Sequence, residues 1–353
     1  MIWLTINEIA AFVTGLFFNL ALLYLIQKRT PSLMRSYASI LRIHCFSDLL
    51  FDAVNFLTTT QCITLKGRFF FINGGIHSAY WTPKMAFLSV ETYLWIVVYV
   101  PLCLVPLDFF YRWRAVCHGD LISKRFITLW VALAYFFSFI VAFPVNGMYM
   151  VAGPSQETKQ YDSILQTALG TDRLSGYLTM GLRGPLEMGV LILIVLVINV
   201  DYTFIGYVFW QLHKKIQESV SRNVSKKAEA TQKQVTKIML LQAFVPLVLC
   251  LPTSVNILAA LFMIDIPGFA PFVFSMISWL AAFKPLATII IVPHYRTTLF
   301  KLSSLSSSGI TTNAGDLSNK SPSVLARRKS STVPPIHPTL KPDQSIVAVC
   351  PNY

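Results

Sequence analysis

One apolar segment near the start of the chain carries four polar side chains at helical spacing. His44, Asp48 and Asp52 follow one another every four residues, and Asn55 comes three residues later. A helix places residues with this spacing on one face, one above the other. Such groups inside an apolar segment face the interior of a helix bundle, where they can pair with a counterion or line an ion path. The pattern predicts an intramembrane polar network.

A single lysine in the last apolar segment is the natural partner of this network. Lys284 lies next to Pro285, about 13 Å from the inner end of its segment at 1.5 Å per residue. Asp48 lies about 12 Å from the inner end of its own segment by the same rise. The matching depths predict an ion pair between Lys284 and Asp48, with Asp52 as the alternative partner. Two roles stay open for the pair, a static link between two helices and a switch.

Polar residues nearer the outer ends of the apolar segments form a candidate ligand pocket. Glu91 lies about 10 Å below the outer end of the third segment, and Trp95 lies one turn deeper on the same face. A helix bundle can open a pocket at this depth, where Glu91 would meet a polar or cationic group of a ligand. The alternative is an interhelical hydrogen bond that satisfies Glu91. Asn256 of the sixth segment completes the candidate pocket, whereas Asp201 is assigned to a polar network.

Aromatic and basic residues close two of the segments at their inner ends. They are Asp108, Tyr111, Arg112, Trp113 and Arg114 in the third segment and Tyr295 and Arg296 in the last. Aromatic rings suit a membrane interface, and arginines there face the cytoplasm. Asp108 precedes Arg112 by one helical turn and can hold it in an i,i+4 pair. Releasing Arg112 would expose a cation to a partner protein.

Seven apolar segments must position these residues. They lie at about 7–26, 40–60, 85–107, 126–148, 186–210, 238–262 and 270–292. Each approaches the ~20 residues that a helix needs to cross a bilayer, and in lipid the backbone must be paired within the chain. Hydrophobic residues make up 54% of the chain and charged residues only 13%, which excludes an ordinary soluble domain. The predicted fold is an all-α membrane protein with a seven-transmembrane helix bundle.

The distribution of lysine and arginine predicts the orientation of the bundle. Twenty of these residues lie in the loops that follow the first, third and fifth segments and in the tail, and six lie on the other side. Because basic loops stay in the cytoplasm, the N-terminus is predicted outside and the C-terminus inside. The net charge of +13 suits anionic lipid headgroups. It is scattered over loops, so nucleic acid is not an expected partner.

The chain divides into two predicted regions, a receptor-like bundle at 1–298 and a cytoplasmic, Ser/Thr-rich disordered tail at 299–353. The loop at 149–185 is predicted to cover the outer mouth, and the loop at 211–237 to extend the flanking helices. Only Cys62 lies near the outer surface, so no extracellular disulfide is expected. The six histidines are scattered, and no catalytic constellation is visible. Neither a metal, nor a cofactor, nor enzymatic activity is expected.

Prolines interrupt several of the segments. They are Pro101, Pro106, Pro144, Pro246, Pro252 and Pro285. Each removes a backbone hydrogen bond and can kink its helix. Kinks in the sixth and seventh segments would let the inner halves swing while the outer halves hold a ligand.

The motifs at the inner ends resemble those of nematode serpentine chemoreceptors of the Str superfamily, most closely the class delta (Srd) group. Phe110-Tyr111-Arg112-Trp113 matches a family motif of Phe/Ile-Tyr-Arg-Tyr that follows a proline. Pro285-Leu286 and Pro293-His294-Tyr295-Arg296 match a Pro-rich seventh span that ends in Tyr-Arg. The chain departs from the family at Trp113, where Tyr is usual, and at Lys284, where an acidic residue often precedes the proline.

The resemblance implies a G-protein-coupled receptor in the plasma membrane or the ciliary membrane of a sensory neuron. It would bind a small environmental molecule from the outer side and signal to a heterotrimeric G protein, with Tyr111 and Arg112 at the coupling face. The alternative function is a seven-span transporter or ligand-gated channel. Its ion path would use His44, Asp48, Asp52, Glu91, Asp201 and Lys284. The chain shows no internal repeat, which counts against a transporter.

Overall fold

The structure is a computed structural model, and two units divide the chain, Met1–Arg296 and Thr297–Tyr353. It describes residues 2–30, 38–74, 82–118, 122–156, 158–170, 174, 176–181, 184–220, 252–253, 255–266 and 268–298. The predicted tail at 299–353 lies outside the described residues, so its disorder stays a prediction. Most of the predicted sixth span and of the loop at 211–237 also lies outside them.

Within the described residues, helices occupy the first five predicted spans and the seventh, and a further short helix lies in the loop at 149–185. They are α1 (Ile2–Arg29), α2 (Ala38–Thr58), α3 (Pro83–Tyr93), α4 (Val100–Trp113), α5 (Lys124–Ile140), α6 (Lys159–Leu169), α7 (Pro185–Val220), α8 (Phe269–Ile277) and α9 (Leu280–Ile291). Wider π-helical turns join α3 to α4 (Leu94–Tyr99) and extend α4 (Arg114–His118) and α5 (Val141–Asn146). Residues 255–261 and 293–298 are also helical. The predicted extension of the fifth span is seen as far as Val220.

Among the described residues, three continuous helices are long and apolar enough to cross a membrane. They are Thr5–Lys28, Pro83–Tyr111 and Lys124–Asn146, and α8 with α9 would make a fourth span bent by 45°. Helix α2 has the length, but it carries Arg42, Asp48 and Asp52. Asp48 and Asp52 belong to the polar network that the sequence assigns to the bundle interior and are buried, whereas Arg42 is exposed.

Large apolar side chains cover the outer faces of the helices. On α1, Trp3 is 78% exposed and Phe17 61% exposed, and α5 exposes Leu129 and Phe136 in the same way. A soluble protein rarely leaves an apolar face of this length in water. Lipid is the surrounding that suits these faces.

Local sequence signals begin the helices of the third and fourth spans. The Thr82 hydroxyl accepts a hydrogen bond from the Met85 amide, and Pro83 occupies the first turn of α3. The Ser123 hydroxyl accepts from the Phe126 amide at the start of α5. Both caps satisfy a backbone donor that has no partner within the helix.

A four-stranded antiparallel sheet adds to the predicted helix bundle at one end. The strands are β1 (Thr60–Leu65), β2 (Arg68–Asn73), β3 (Val151–Gly153) and β4 (Tyr177–Gly181), in the order β1-β2-β4-β3. Lys66 and Gly67 connect β1 to β2 with φ angles of 49° and 70°, as a two-residue hairpin turn requires. We call this end of the bundle the sheet end.

The two faces of the sheet pack against different partners. Phe69, Phe71 and Leu178 point to the bundle and join a buried apolar cluster with Tyr93 and Phe274. Phe70, Ile72 and Tyr177 point the other way and pack on Leu165 of helix α6. The described parts of the loop at 149–185 therefore form a roof over the bundle, together with the β1–β2 hairpin.

Polar contacts hold the roof together. The Tyr177 hydroxyl donates to the Asp162 carboxylate, and the Arg68 guanidinium lies 4.9 Å from the centre of the Tyr161 ring. Burial, followed by the hydrogen bond to Asp162, raises the pKa of Tyr177. The phenol therefore stays protonated and keeps donating at physiological pH.

The seventh span bends between α8 and α9, at Ser278 and Trp279, rather than at Pro285. Pro285 has no N–H to offer the Ala281 carbonyl one turn earlier. The Asn19 side-chain amide donates to that carbonyl instead, at 3.0 Å. This replacement lets α9 continue through the proline, so the expected kink at Pro285 does not form.

Candidate functional site

A buried ion pair joins the second and seventh spans. Lys284 Nζ lies 2.8 Å from Asp48 Oδ1, and both side chains are 6% exposed. Helix α9 positions Lys284, and its carbonyl accepts a hydrogen bond from the Thr288 hydroxyl. The structure therefore pairs Lys284 with Asp48, as the depths predicted, and not with Asp52.

Asp52 lies one turn from Asp48 and packs against the backbone of α1. Gly15 makes this approach possible, because a Cβ at that position would overlap Asp52 Oδ2 and lie 2.7 Å from Oδ1. Asp52 is 2% exposed, and within the described part of the chain its Oδ2 accepts no hydrogen bond. The Asn19 amide approaches the carboxylate from α1. Asp52 therefore depends on a close fit between α1 and α2.

Glu8 is a third buried carboxylate that the sequence reasoning missed. Its oxygens accept hydrogen bonds from Asn55 Nδ2 at 2.6 Å and from the Ser278 hydroxyl at 2.7 Å. Glu8 thus links α1 and α2 to the residue at which the seventh span bends. The signal for it in the sequence is an acidic residue just inside the first apolar segment.

These groups form a continuous polar column between α1, α2 and the seventh span. From the sheet end inward it contains Glu8 with Asn55 and Ser278, then Asp52 with Asn19, and then Asp48 with Lys284. His44 lies buried one turn beyond Asp48. Among the residues that the structure describes, Lys284 is the one ammonium paired with this set. A buried charge network of this kind can fix helix register or switch between two arrangements.

Glu91 is completely buried, and neither carboxylate oxygen is hydrogen-bonded to a residue that the structure describes. The expected alternative, an interhelical hydrogen bond, does not form within the described part of the chain. Trp95 contacts α5 instead of Glu91, because its Nε1 donates to the Tyr135 carbonyl at 2.9 Å. Its ring also packs edge-on against Phe139 of α5. Trp95 is a contact between the third and fourth spans.

Asn256 pairs with the roof instead of joining Glu91. Its Nδ2 donates to the Thr64 hydroxyl of β1 at 3.0 Å. The Lys66 amide donates to the Asp265 carboxylate at 2.9 Å, which makes a second contact between the hairpin and the connection of the sixth and seventh spans. The predicted pocket residues therefore occupy separate places, and Asn256 links the roof to the sixth span.

An apolar cluster fills the space beneath the roof. Tyr93 lies within it, fully buried and stacked on Phe274 at 6.3 Å between ring centres. Its hydroxyl has no hydrogen-bond partner among the residues placed by the structure. The cluster thus combines large apolar surfaces with one buried hydroxyl. The sequence reasoning missed Tyr93 because a tyrosine inside an apolar segment has no distinctive spacing.

The residues predicted at the coupling face occupy the opposite end of the bundle. Asp108 and Arg112 lie on α4, but their side chains are outside the described part of the structure. Tyr111 is buried, and Trp113 packs against Phe110 and His118.

The remaining three residues of the predicted face differ in exposure. The Tyr295 hydroxyl lies 2.8 Å from the Thr30 hydroxyl in a buried contact with the end of α1. Arg296 is exposed, and Arg114 is half-buried. Tyr295 therefore anchors the segment at 293–298, while Arg296 remains accessible.

Comparison with solved structures identifies the fold. The fold is similar to the crystal structure of squid rhodopsin, with a TM-score of 0.57, 12% identity, and coverage of 88% of this chain and 87% of that chain. At this identity the likeness shows the fold alone, the helical bundle of G-protein-coupled receptors. The predicted helix-bundle fold is thereby confirmed.

The family follows from the sequence. The family model described as "Serpentine type 7TM GPCR chemoreceptor Srd" matches residues 4–301, and the chain belongs to this family. It is also similar to "G-protein coupled receptor str-33" of Caenorhabditis elegans, at 23% identity over 319 residues, 84% of this chain and 90% of that protein. The family is a class of multi-pass membrane receptors rather than enzymes, and the predicted resemblance is confirmed.

Proposed function

We propose that this receptor binds a small environmental molecule at its sheet end and signals to a heterotrimeric G protein at the opposite end. The family match over residues 4–301 is the observation that carries the proposal. The charge distribution supports an outer sheet end, because the loops at that end are poor in lysine and arginine. The plasma membrane or the ciliary membrane of a sensory neuron is the expected location.

The apolar cluster beneath the roof is the proposed ligand site. Phe71, Tyr93 and Phe274 supply large apolar surfaces, and the unpaired Tyr93 hydroxyl supplies one polar contact. A ligand that displaces part of this cluster would press on the roof and on α8. We expect the ligand to be small, because the cluster is closely filled by the receptor's own side chains.

The polar column is the proposed route from the ligand site to the G protein. Ser278, at the bend of the seventh span, donates to Glu8, and Lys284 lies on α9 beyond this bend. A change in the bend would therefore alter both contacts and move α9 relative to α2. Buried, discretely packed groups favour two alternative arrangements over a continuous deformation.

The proposal is tested by a reporter assay for ligand-evoked signalling, with Arg112→Ala as the diagnostic variant. Cells with a calcium or cAMP reporter are screened with small volatile and soluble metabolites. Arg112→Ala is expected to retain ligand binding and to lower signalling about tenfold or more, because a charge-assisted contact to the partner is lost. Lys159→Ala, which removes an exposed basic residue of α6, is the control and should signal normally.

Two results would contradict the proposal. One is wild-type signalling by Arg112→Ala, which would show that the G protein does not depend on Arg112 at this end of α4. The other is a ligand-evoked current in cells that lack G proteins, which would favour the transporter or channel alternative.

A further inference from the structure

The Glu91 carboxylate is enclosed without a partner. Glu91 is 0% exposed, and neither of its oxygens accepts a hydrogen bond from any residue that the structure describes. The ion pair between Lys284 and Asp48 is separate from it. A carboxylate removed from water in this way is strongly unfavourable until a donor or a cation reaches it.

Aromatic rings and one glycine surround this carboxylate. Gly147 packs closely on this group, because a Cβ there would lie 3.0 Å from Phe87 Cζ, which is tighter than an ordinary contact, and 4.0 Å from Glu91 Oε1. Tyr99 is close enough to interact electrostatically with Glu91, and its hydroxyl accepts from Asn146 at 2.9 Å. Phe87 and Tyr99 both pack against the apolar cluster beneath the roof. The carboxylate therefore borders the proposed ligand site.

We propose that Glu91 is the recognition group for a small organic cation, a protonated primary alkylamine. This inference rests on the proposed function, because it specifies the ligand of the same site. An ammonium carries three donors and a full charge, which can satisfy both unpaired oxygens of Glu91. Ring faces such as those of Phe87 and Tyr99 attract cations, and the apolar cluster takes the alkyl chain. An alcohol of the same length brings one donor and no charge.

Binding of n-butylammonium and n-butanol to the full-length chain in lipid nanodiscs tests the inference. Calorimetry is expected to give a dissociation constant at least about tenfold lower for the amine, since charge-assisted hydrogen bonds are the stronger ones. Glu91→Gln is expected to weaken amine binding at least about tenfold. The same variant should keep or raise the melting temperature of the unliganded receptor, because it removes a buried carboxylate that has no partner.

A second variant reports on the packing around the carboxylate rather than on its charge. Gly147→Ala keeps Glu91 but adds a Cβ 3.0 Å from Phe87 Cζ and 4.0 Å from Glu91 Oε1, so an ammonium has less room at the carboxylate and weaker amine binding is expected. Gly189→Ala is the matched control, since a Cβ there meets nothing within 4 Å, and amine binding should not change.

Three outcomes overturn the inference. They are equal binding of amine and alcohol to the wild type, unchanged amine binding by Glu91→Gln, and no detectable amine binding at millimolar concentration. An uncharged ligand whose reporter response survives Glu91→Gln would also overturn it and leave the proposed receptor function intact. A ligand-evoked current without G proteins would overturn the receptor function whichever ligand binds.

Discussion

Lys284→Met is expected to remove most of the correctly folded receptor from the cell surface. The substitution leaves Asp48 buried without its counterion, which now lies 2.8 Å away. Breaking a buried pair by removing one partner costs about 3–5 kcal/mol, a large fraction of the stability of a typical domain. Surface labelling of tagged receptor, together with the melting temperature in detergent, measures the effect.

A double variant and a matched control separate pairing from general damage. Lys284→Met with Asp48→Asn is expected to recover much of the surface receptor, because it removes both charges together. Lys214→Met removes an exposed lysine of α7 and should leave expression within the normal range. Failure of the double variant to recover would show that Asp48 is not the partner whose charge matters.

Gly15→Ala is expected to destabilise the receptor, although alanine is the better helix former. At most helix positions this substitution stabilises by up to about 1 kcal/mol. At Gly15 the added Cβ would overlap the Asp52 carboxylate, and overpacking of this kind costs about 1–3 kcal/mol. The melting temperature should therefore fall. Gly206→Ala on α7, where a Cβ meets nothing within 4 Å, is expected to keep or raise it.

A second-site variant identifies the cause. Asp52→Ala removes the side chain that would meet the new methyl group, so the combination with Gly15→Ala should be less destabilising than the sum of the two single variants. Strict additivity of the two effects would contradict the close contact between Gly15 and Asp52.

Much of the helical architecture could be predicted from sequence because lipid imposes a simple rule. An apolar run long enough to cross the bilayer must be helical, since its backbone has no other partner. The pairing of Lys284 with Asp48 followed from depth alone, because rise per residue is constant in a helix. The resemblance to the Srd family added the identity of the inner motifs, which physical rules alone do not interpret.

The sheet was missed although its signal is present in the sequence. Two runs rich in β-branched and aromatic residues, at 60–65 and 68–73, flank Lys66 and Gly67, the spacing of a tight hairpin. The second apolar segment, at 40–60, includes the first residue of β1, and the other residues of the hairpin fall between the predicted spans. A Cβ at Gly67 would lie 3.1 Å from the Ala260 carbonyl, so packing on the sixth span also favours this glycine.

The candidate pocket was harder to predict because pockets depend on contacts between distant segments. Glu91, Trp95 and Asn256 were grouped by depth, yet Trp95 bonds to α5 and Asn256 to β1. Depth fixes the position of a side chain along the membrane but not the neighbour that it faces. Asn19 was missed for a related reason. Its role, to bond the carbonyl left free by Pro285, exists only once α1 and α9 are packed.

The positions of the two chain ends test the receptor account most directly. Different epitope tags are placed at the N-terminus and the C-terminus, and antibody labelling is compared in intact and permeabilised cells. We expect the N-terminal tag to be labelled in intact cells and the C-terminal tag only after permeabilisation, because an odd number of spans separates the ends. Labelling of both tags in the same compartment would contradict the seven-span receptor with an outer ligand site.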